Sequence, residues 1–163
     1  MTLPHLHYVL PILTSLQPST KDMLRNIGNF FPGPVFVYGL GPKTIQYAND
    51  LFVKALGHSR IEVDTKELCL DDVIHPDDRE SFESGIAQCA ALKEDVVHSF
   101  QCRVKQKDGG SIPWELTGRV LQRNELGQAE SILIFVKDIR DDLHHASEKR
   151  ELERKISDLK RSN

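Results

Sequence analysis

The stretch FQCRVKQKDGGSIPWEL, residues 100–116, has two runs of strand-forming residues on either side of the turn sequence KDGGS. Glycine in such a turn supplies the positive φ that a tight connection between antiparallel strands requires. Since successive side chains of a strand point to opposite faces, Phe100 and Cys102 share one face of the first run, and Trp114 and Leu116 share one face of the second. The stretch therefore predicts a β-hairpin with one apolar face.

Further strands are predicted on both sides of this hairpin. Its own strands extend over residues 96–106 and 111–122, and the turn sequence NELGQ leads to a third strand over 129–139. Upstream, VFVYGL at 35–40 and KTIQYA ending at Ala48 are rich in β-branched and aromatic residues and are separated by a Gly-Pro turn. The sequence thus predicts a hairpin near the start and three consecutive strands near the end.

Helices are predicted before, between and after the strands. STKDMLRNIGNFF, residues 19–31, has apolar side chains at helical spacing. Asn49 can cap a second helix, DLFVKA, which ends before Gly57, a residue suited to a helix C-terminus. Between residues 58 and 73 the apolar spacings allow only one or two brief helical turns. A longer helix is predicted from Pro76 to about Leu92.

The cluster IHPDDRESF, residues 74–82, admits a chemical and a structural interpretation. His75, Asp77 and Asp78 could begin a metal site, but no second cluster of His or carboxylates follows at ligand-like spacing. Proline is favoured at the first helical position, and each acidic residue in the first turn stabilises a helix by about 0.3–1 kcal/mol. We interpret the cluster as a helix start and expect no metal there.

Composition is that of one soluble globular domain. The chain has 163 residues, 28% of them charged, with a formal net charge of −3, which gives no bias towards nucleic acid. Cys69, Cys89 and Cys102 are odd in number and far apart, so we expect reduced thiols in a cytoplasmic protein. No segment approaches the roughly 18 continuous apolar residues of a membrane helix.

Motifs of the common enzyme classes are missing from the sequence. It contains no G-x-S-x-G, no phosphate-binding glycine loop, no H-E-x-x-H and no G-x-G-x-x-G. An enzyme would need a histidine such as His98 to converge with a buried carboxylate such as Glu115. Strand alternation places Glu115 on the face opposite Trp114, so we expect no catalytic activity.

The two ends of the chain pose separate questions. Residues 1–18 contain an apolar run, Tyr8–Leu13, that should pack either on this domain or on a second copy. In the charged C-terminal segment, Leu152, Ile156 and Leu159 have the spacing of a coiled-coil seam, but only for about two heptads. The alternative is a solvated helix whose apolar residues pack back on its own domain.

Four motifs in this order resemble those of the PAS domain family. VFVYGL with TIQYAND and FVKALGHS is similar to the family's opening strands and helix, and VIHPDDRESF to its "HPDDR" helix start. FQCRVKQKDGGSIPWEL is similar to its K-D-G-S hairpin, and ILIFVKDIRD to its closing strand. Gln101 stands where Glu is usual, and Arg140 where Thr is frequent. The resemblance covers about residues 34–141.

The resemblance implies an α+β fold: a five-stranded antiparallel sheet with helices packed on one face, plus an N-terminal helix and a C-terminal linker or coiled-coil helix. It divides the chain into an N-terminal extension, residues 1–33, a PAS domain, residues 34–141, and a C-terminal signalling helix, residues 142–163. The expected hand-over point from the sheet to that helix is residues 138–141.

The resemblance also implies a function. PAS domains bind small molecules between sheet and helices or mediate dimerisation, so we expect a sensory module of a bacterial-type regulator, and a homodimer. No kinase, cyclase or helix-turn-helix segment follows the last helix. We therefore expect the output domain, of histidine kinase or transcription-regulator type, on another part of a longer protein. Otherwise the chain acts as a stand-alone adaptor. The alternative is a ligand-free interaction module.

The sequence does not identify a cofactor, and haem would have to bind through a residue such as His98 or His75. Cys69 lacks the "N-C-R-F-L-Q" context of flavin-binding relatives, and residues 77–92 lack the histidine that haem-binding relatives use. If a small molecule binds, its pocket is expected between the sheet and the helices. The candidate lining residues are Phe52, Leu56, Phe82, Ile86, His98, Phe100, Cys102, Trp114 and Leu116. Alternatively, these side chains fill the core completely.

Overall fold

The computed structural model describes residues 26–65, 69–93 and 95–162. The expected packing of residues 1–18 and most of the helix predicted over 19–31 lie outside the described residues. Residues 26–28, at the end of that predicted helix, are helical.

Five strands form one antiparallel sheet in the order β2-β1-β5-β4-β3. Each observed strand lies within two residues of its predicted bounds. The last predicted strand pairs with both β1 and β4, which joins the early hairpin to the later strands. The strands are β1 Val35–Gly39, β2 Thr44–Ala48, β3 His98–Lys105, β4 Ser111–Arg123 and β5 Ala129–Asp138.

The helices also follow the predicted order, with one correction. Pro76–Asp78 form a 3-10 turn rather than the first turn of the long helix, which begins at Arg79. Asp78 has φ −102° and ψ 2°, outside the helical region, and its carboxylate is directed towards β3 instead of the helix amides. The helices are α1 Asp50–Ala55, α2 Arg60–Thr65, α3 Leu70–Val73, α4 Arg79–Ala91 and α5 Arg140–Arg161.

The hydrophobic core lies between one face of the sheet and helices α1 and α4. Helix α4 contributes Phe82, Ile86 and Cys89, which repeat at the three-or-four-residue spacing of a single helix face. The sheet contributes alternate residues of each strand, as the sequence predicted. The α+β fold with a five-stranded antiparallel sheet and helices on one face is therefore confirmed.

Candidate functional site

The predicted lining residues come together on the inner face of the sheet. Seven of them are buried in the core, whereas His98 and Phe100 on β3 are half-buried at its rim. Strand β3 is an edge strand of the sheet. The structure thus gathers these side chains in one place; that they line a ligand site stays a prediction. The buried members are Phe52, Leu56, Phe82, Ile86, Cys102, Trp114 and Leu116.

Aromatic rings occupy much of this interior in two groups. In the first, the Phe52 ring lies 4.8 Å from the Phe36 ring and 5.7 Å from the Trp114 ring, measured between centroids. In the second, the Phe82 ring lies between two other rings, at 6.0 Å from Tyr38 and 5.9 Å from Phe100. These distances are those of rings in direct contact. The core is thus held together by aromatic side chains of both the sheet and the helices.

Two glycines allow α4 to approach the sheet closely. A methyl group on Gly85 of α4 would lie 2.4 Å from the Phe100 ring, and one on Gly118 of β4 would lie 2.8 Å from Cys89 Sγ. Both distances are shorter than real carbon contacts allow, so the space beside each glycine is filled by a side chain of the opposite layer. Two surface depressions of the described residues lie elsewhere, one along α5 and one at the β3–β4 turn.

The buried thiols do not provide a nucleophile. Burial raises the pKa of the Cys102 thiol to about 12, and burial likewise raises the pKa of Cys89. Both thiols are therefore protonated at neutral pH and act as small apolar core residues. Glu115 pairs with Gln101 and Lys137 across the sheet, on the face opposite Trp114, and so does not converge with His98.

Asn49 is the most fully engaged polar residue of the core. Its side chain is completely buried, with Oδ1 accepting hydrogen bonds from the backbone N–H groups of Val35 (3.1 Å) and Phe52 (3.0 Å). Its Nδ2 donates to the carbonyl oxygens of Gly28 (3.2 Å) and Gly33 (2.9 Å). The sequence predicted only the helix cap at Phe52. The other three bonds fix the N-terminal segment and β1 to α1.

Asp78 and Arg103 join the start of α4 to β3. Asp78 Oδ1 and Oδ2 accept hydrogen bonds from Arg103 Nη2 at 2.7 Å and Nε at 2.9 Å, and Oδ2 also accepts the Arg103 backbone N–H at 2.7 Å. These bonds to Arg103 lower the pKa of Asp78 to about 2. Sequence analysis placed Asp78 in the first turn of the helix, whereas it directly precedes the helix. The analysis also missed the partner of Asp78, because Arg103 is far away in sequence. The opposite charges of Asp78 and Arg103 were the only sign of this pair in the sequence.

We expect Asp78→Asn to lower the free energy of unfolding by about 1–2 kcal/mol at pH 7, since it removes a charge-assisted bidentate pair that is partly screened by solvent. The carboxylate of the folded chain has its pKa below the ordinary value of about 4, so its contribution is present above pH 4 and is lost as the pH falls towards 2. Urea unfolding at several pH values measures this.

Asp77→Asn is the matched control, because Asp77 is the neighbouring carboxylate and 75% of its side chain is exposed. It should cost less than about 1 kcal/mol, as for a helix-start acid. Two results would contradict the assignment of the bidentate pair with Arg103 to Asp78. One is an equal loss of unfolding free energy for both substitutions, and the other is a loss for Asp78→Asn that does not vary between pH 4 and 2.

The junction between β5 and α5 is anchored at one point and bridged by ion pairs. Ile139 is buried, and its backbone N–H donates to the Pro113 carbonyl oxygen at 3.1 Å. Arg140 Nη2 contacts Asp138 Oδ2 at 2.7 Å, and Lys137 Nζ contacts Asp142 Oδ2 at 2.6 Å. The position where the family motif has Thr thus forms an ion pair with its own strand. The first turn of α5 is held by these contacts.

Beyond this junction α5 has no buried residue. The predicted seam residues Leu152, Ile156 and Leu159 are 60%, 52% and 68% exposed. The alternative that they pack back on the same domain is wrong for the described residues, since such packing would bury them. The helix therefore presents an unpaired apolar stripe, defined here as the α5 stripe, which consists of these three residues.

Comparison with known families agrees with this architecture. The model of the PAS fold family matches residues 45–136 of the chain, more than half of its length. The chain belongs to the PAS fold family. Among curated proteins, none matches the chain.

Solved structures with the same fold come from several bacteria. A sensory box histidine kinase/response regulator from Burkholderia thailandensis E264 is 18% identical, with a TM-score of 0.57 over 76% of this chain and 89% of that one. A PAS domain from Colwellia psychrerythraea is 18% identical, with a TM-score of 0.59 over 74% and 97%. The N-terminal domain of a diguanylate cyclase with PAS/PAC sensor from Marinobacter aquaeolei is 20% identical, with a TM-score of 0.53 over 69% and 97%.

No helix among the described residues is both long enough and apolar enough to cross a membrane.

Proposed function

We propose that this chain is a sensory PAS module that self-associates through the α5 stripe and passes a change in its sheet to α5. The observation that carries the proposal is the 22-residue helix that leaves an anchored β5 junction with no buried residue of its own. A helix with apolar residues on one side and charges elsewhere gains stability by pairing that side with a second helix. A second copy offers the same stripe about a two-fold axis.

The geometry of the junction supports the proposed relay. Strand β5 lies between β1 and β4 in the sheet, and its end continues directly into α5 through Ile139. A ligand or partner that favours one packing of the core over another shifts the population of the two packings. Because the first turn of α5 is fixed to β4 and β5, the register or splay of paired α5 helices would follow that shift.

The names of two solved neighbours support a sensory role. The Burkholderia thailandensis protein is named as a sensory box histidine kinase, and the Marinobacter aquaeolei protein as a diguanylate cyclase with a PAS/PAC sensor. By analogy, we propose that the module lies at residues 34–141, that α5 leads towards an output domain of a cytoplasmic regulator, and that the module itself catalyses no reaction.

A second candidate function, a PAS-fold interaction module that binds no ligand, is favoured by the close packing at Gly85 and Gly118. Native mass spectrometry of freshly purified, untagged protein distinguishes the two. Extra mass that disappears on denaturation would support the ligand sensor and indicate the class of compound. A dimer of bare chains would support the interaction module.

Substitution of the α5 stripe tests self-association directly. We expect Leu152→Asp combined with Ile156→Asp to convert the dimer to a monomer, because two charges would be buried in the helix pair. Native mass spectrometry and light scattering report the mass, and circular dichroism checks that the sheet is intact.

The charge-matched control is Ser147→Asp with Ser157→Asp, which adds the same charge to α5 away from the stripe. It should leave the dimer unchanged. If the stripe variant stays dimeric, the interface lies elsewhere, with residues 19–31 as the first alternative. A wild-type chain that is monomeric at micromolar concentration would overturn the self-association proposal.

A further inference from the structure

Strand β3 lies at one edge of the sheet, and part of its free side is covered. The Arg103 carbonyl oxygen accepts the His75 N–H at 2.9 Å, and the Arg103 N–H donates to Asp78 Oδ2 at 2.7 Å. The backbone of Arg103 therefore points away from β4. Its cross-strand neighbour on β4 is Pro113, which has no N–H to donate. This part of the edge is closed to a further strand.

The preceding part of the same edge is open. Backbone direction alternates along a strand, so the N–H and C=O groups of Ser99 and Gln101 point the same way as those of Arg103. No described residue forms a hydrogen bond with these groups. Both side chains are exposed, and Val97, directly before the strand, is 56% exposed. Helix α4 packs over β3, β4 and β5, and so lies above the sheet rather than beside this edge.

The features that usually protect an edge strand from pairing are missing from this segment. Natural edges are blocked by charged side chains, proline, bulges or short strands. Strand β2, at the other edge, is five residues long, pairs with β1 through a register shift and bridges Cys69 at Thr44. Residues 96–101, VVHSFQ, contain no Asp, Glu, Lys, Arg, Pro or Gly, although 28% of the whole chain is charged. The open edge is therefore suited to pairing with another strand.

We propose that residues 97–101 pair antiparallel with the same residues of a second copy, about a two-fold axis through Ser99. Only residues with outward backbone groups can be hydrogen-bonded partners, and Arg103 is already bonded within its own chain. Ser99 therefore faces Ser99 of the second copy, and Val97 faces Gln101. Because the segment is uncharged, two copies meet without like-charge repulsion.

This register also pairs aromatic side chains. His98 faces Phe100 of the second copy in a non-hydrogen-bonded pair, where the Cα atoms are only about 4.5 Å apart. Within one chain the two rings are half-buried and stacked at a centroid distance of 6.0 Å. The two-fold axis brings two such stacks together, so four rings that are half-exposed in the single chain become covered.

The interface is small, and its affinity is correspondingly low. The three hydrogen-bonded residue pairs supply about six backbone hydrogen bonds, and a strand pair of this length lies well below the roughly 1,200 Å² of a standard interface. We expect association in the high micromolar range. The inference does not depend on the sensory role. If α5 also pairs, the two different two-fold interfaces together build an assembly larger than a dimer.

The test uses the full chain carrying Leu152→Asp and Ile156→Asp, so that the proposed α5 pairing does not contribute to the mass. Sedimentation velocity should show the average mass rising from one chain towards two between low and high micromolar concentration. We expect Ser99→Lys to weaken this association at least about fivefold, because two positive charges then face each other across the axis. An equimolar mixture of the Ser99→Lys and Ser99→Asp proteins should restore it, since opposite charges then meet.

Thr117→Lys is the matched control. Thr117 is the cross-strand neighbour of Ser99 on β4, and the two hydroxyl oxygens are 2.8 Å apart. Both substitutions therefore remove the same hydrogen bond and add the same charge to the same face of the sheet. Only Ser99 lies at the edge, so Thr117→Lys should associate as the parent protein does.

Amide hydrogen exchange locates the contact. The N–H groups of Ser99 and Gln101 should exchange severalfold more slowly at high protein concentration, whereas the Phe100 N–H, which is directed towards β4, should not change. A mass that stays at one chain, exchange rates that do not depend on concentration, or association that Ser99→Lys does not weaken would each overturn the inference. A wild-type dimer with unchanged exchange at Ser99 and Gln101 would leave the α5 proposal standing and overturn this one alone.

Discussion

Asn49→Ala should lower the free energy of unfolding by about 3–5 kcal/mol, the largest loss we expect from any polar substitution in this chain. The substitution removes the hydrogen-bond partner of two backbone N–H groups and of the Gly33 carbonyl oxygen, and one of the two partners of the Gly28 carbonyl oxygen, which still accepts the Phe31 N–H at 3.2 Å. An unsatisfied buried group costs about 1–3 kcal/mol, and the loss of a helix cap about 1 kcal/mol, although some of the freed groups can bind water. Urea unfolding followed by circular dichroism measures the change.

Asn49→Asp separates the two halves of this network. Aspartate keeps the acceptor for Val35 and Phe52 but cannot donate to the carbonyl oxygens of Gly28 and Gly33. We therefore expect the cap of α1 to persist and the amide hydrogens of residues 26–33 to exchange faster. A loss of unfolding free energy below about 1 kcal/mol for Asn49→Ala would contradict the proposal that the hydrogen bonds of Asn49 hold the N-terminal segment on the domain.

The strands were predictable because their signal is local. Alternation along Phe100–Lys105 and Ile112–Leu116, with a glycine turn between them, determines both the hairpin and the inward face. The same alternation placed all the inner-face candidates of β3 and β4 correctly. Order along the chain and family motifs supplied the rest of the five-stranded sheet. The pairing of β1 with β5, which no local pattern contains, came from the structure.

Long-range polar contacts were not predictable from the sequence. The partner of Asp78 is Arg103, which lies 25 residues away and is brought near only when β3 becomes the sheet edge beside α4. Asn49 has two partners in the segment before β1 for the same reason. Periodicity also could not show that Gly85 and Phe100 meet, because that contact exists only in the packed structure.

Phe82→Ala addresses the filled core directly, and we expect it to lower the free energy of unfolding by about 3–5 kcal/mol. The Phe82 side chain is 2% exposed and lies between the Tyr38 and Phe100 rings, so its removal leaves a cavity lined by aromatic and aliphatic groups. Phe30→Ala makes the same chemical change at an 87% exposed site and should cost little. Thermal and urea unfolding measure both variants.

The effect of benzene on the melting temperature then distinguishes a rigid interior from an adaptable one. A dry apolar cavity of this kind binds benzene, and binding to the folded state alone raises the melting temperature with ligand concentration. We expect this increase for Phe82→Ala and none for the wild-type chain, in which the Phe82 ring lies between the Tyr38 and Phe100 rings. If wild-type protein is stabilised equally, the core opens without substitution, and the ligand sensor is favoured over the ligand-free module. A small loss of unfolding free energy for Phe82→Ala, without benzene binding, would mean that α4 closes onto the sheet. The helix layer that contacts β3 would then be able to move, and its packing could carry a signal towards α5.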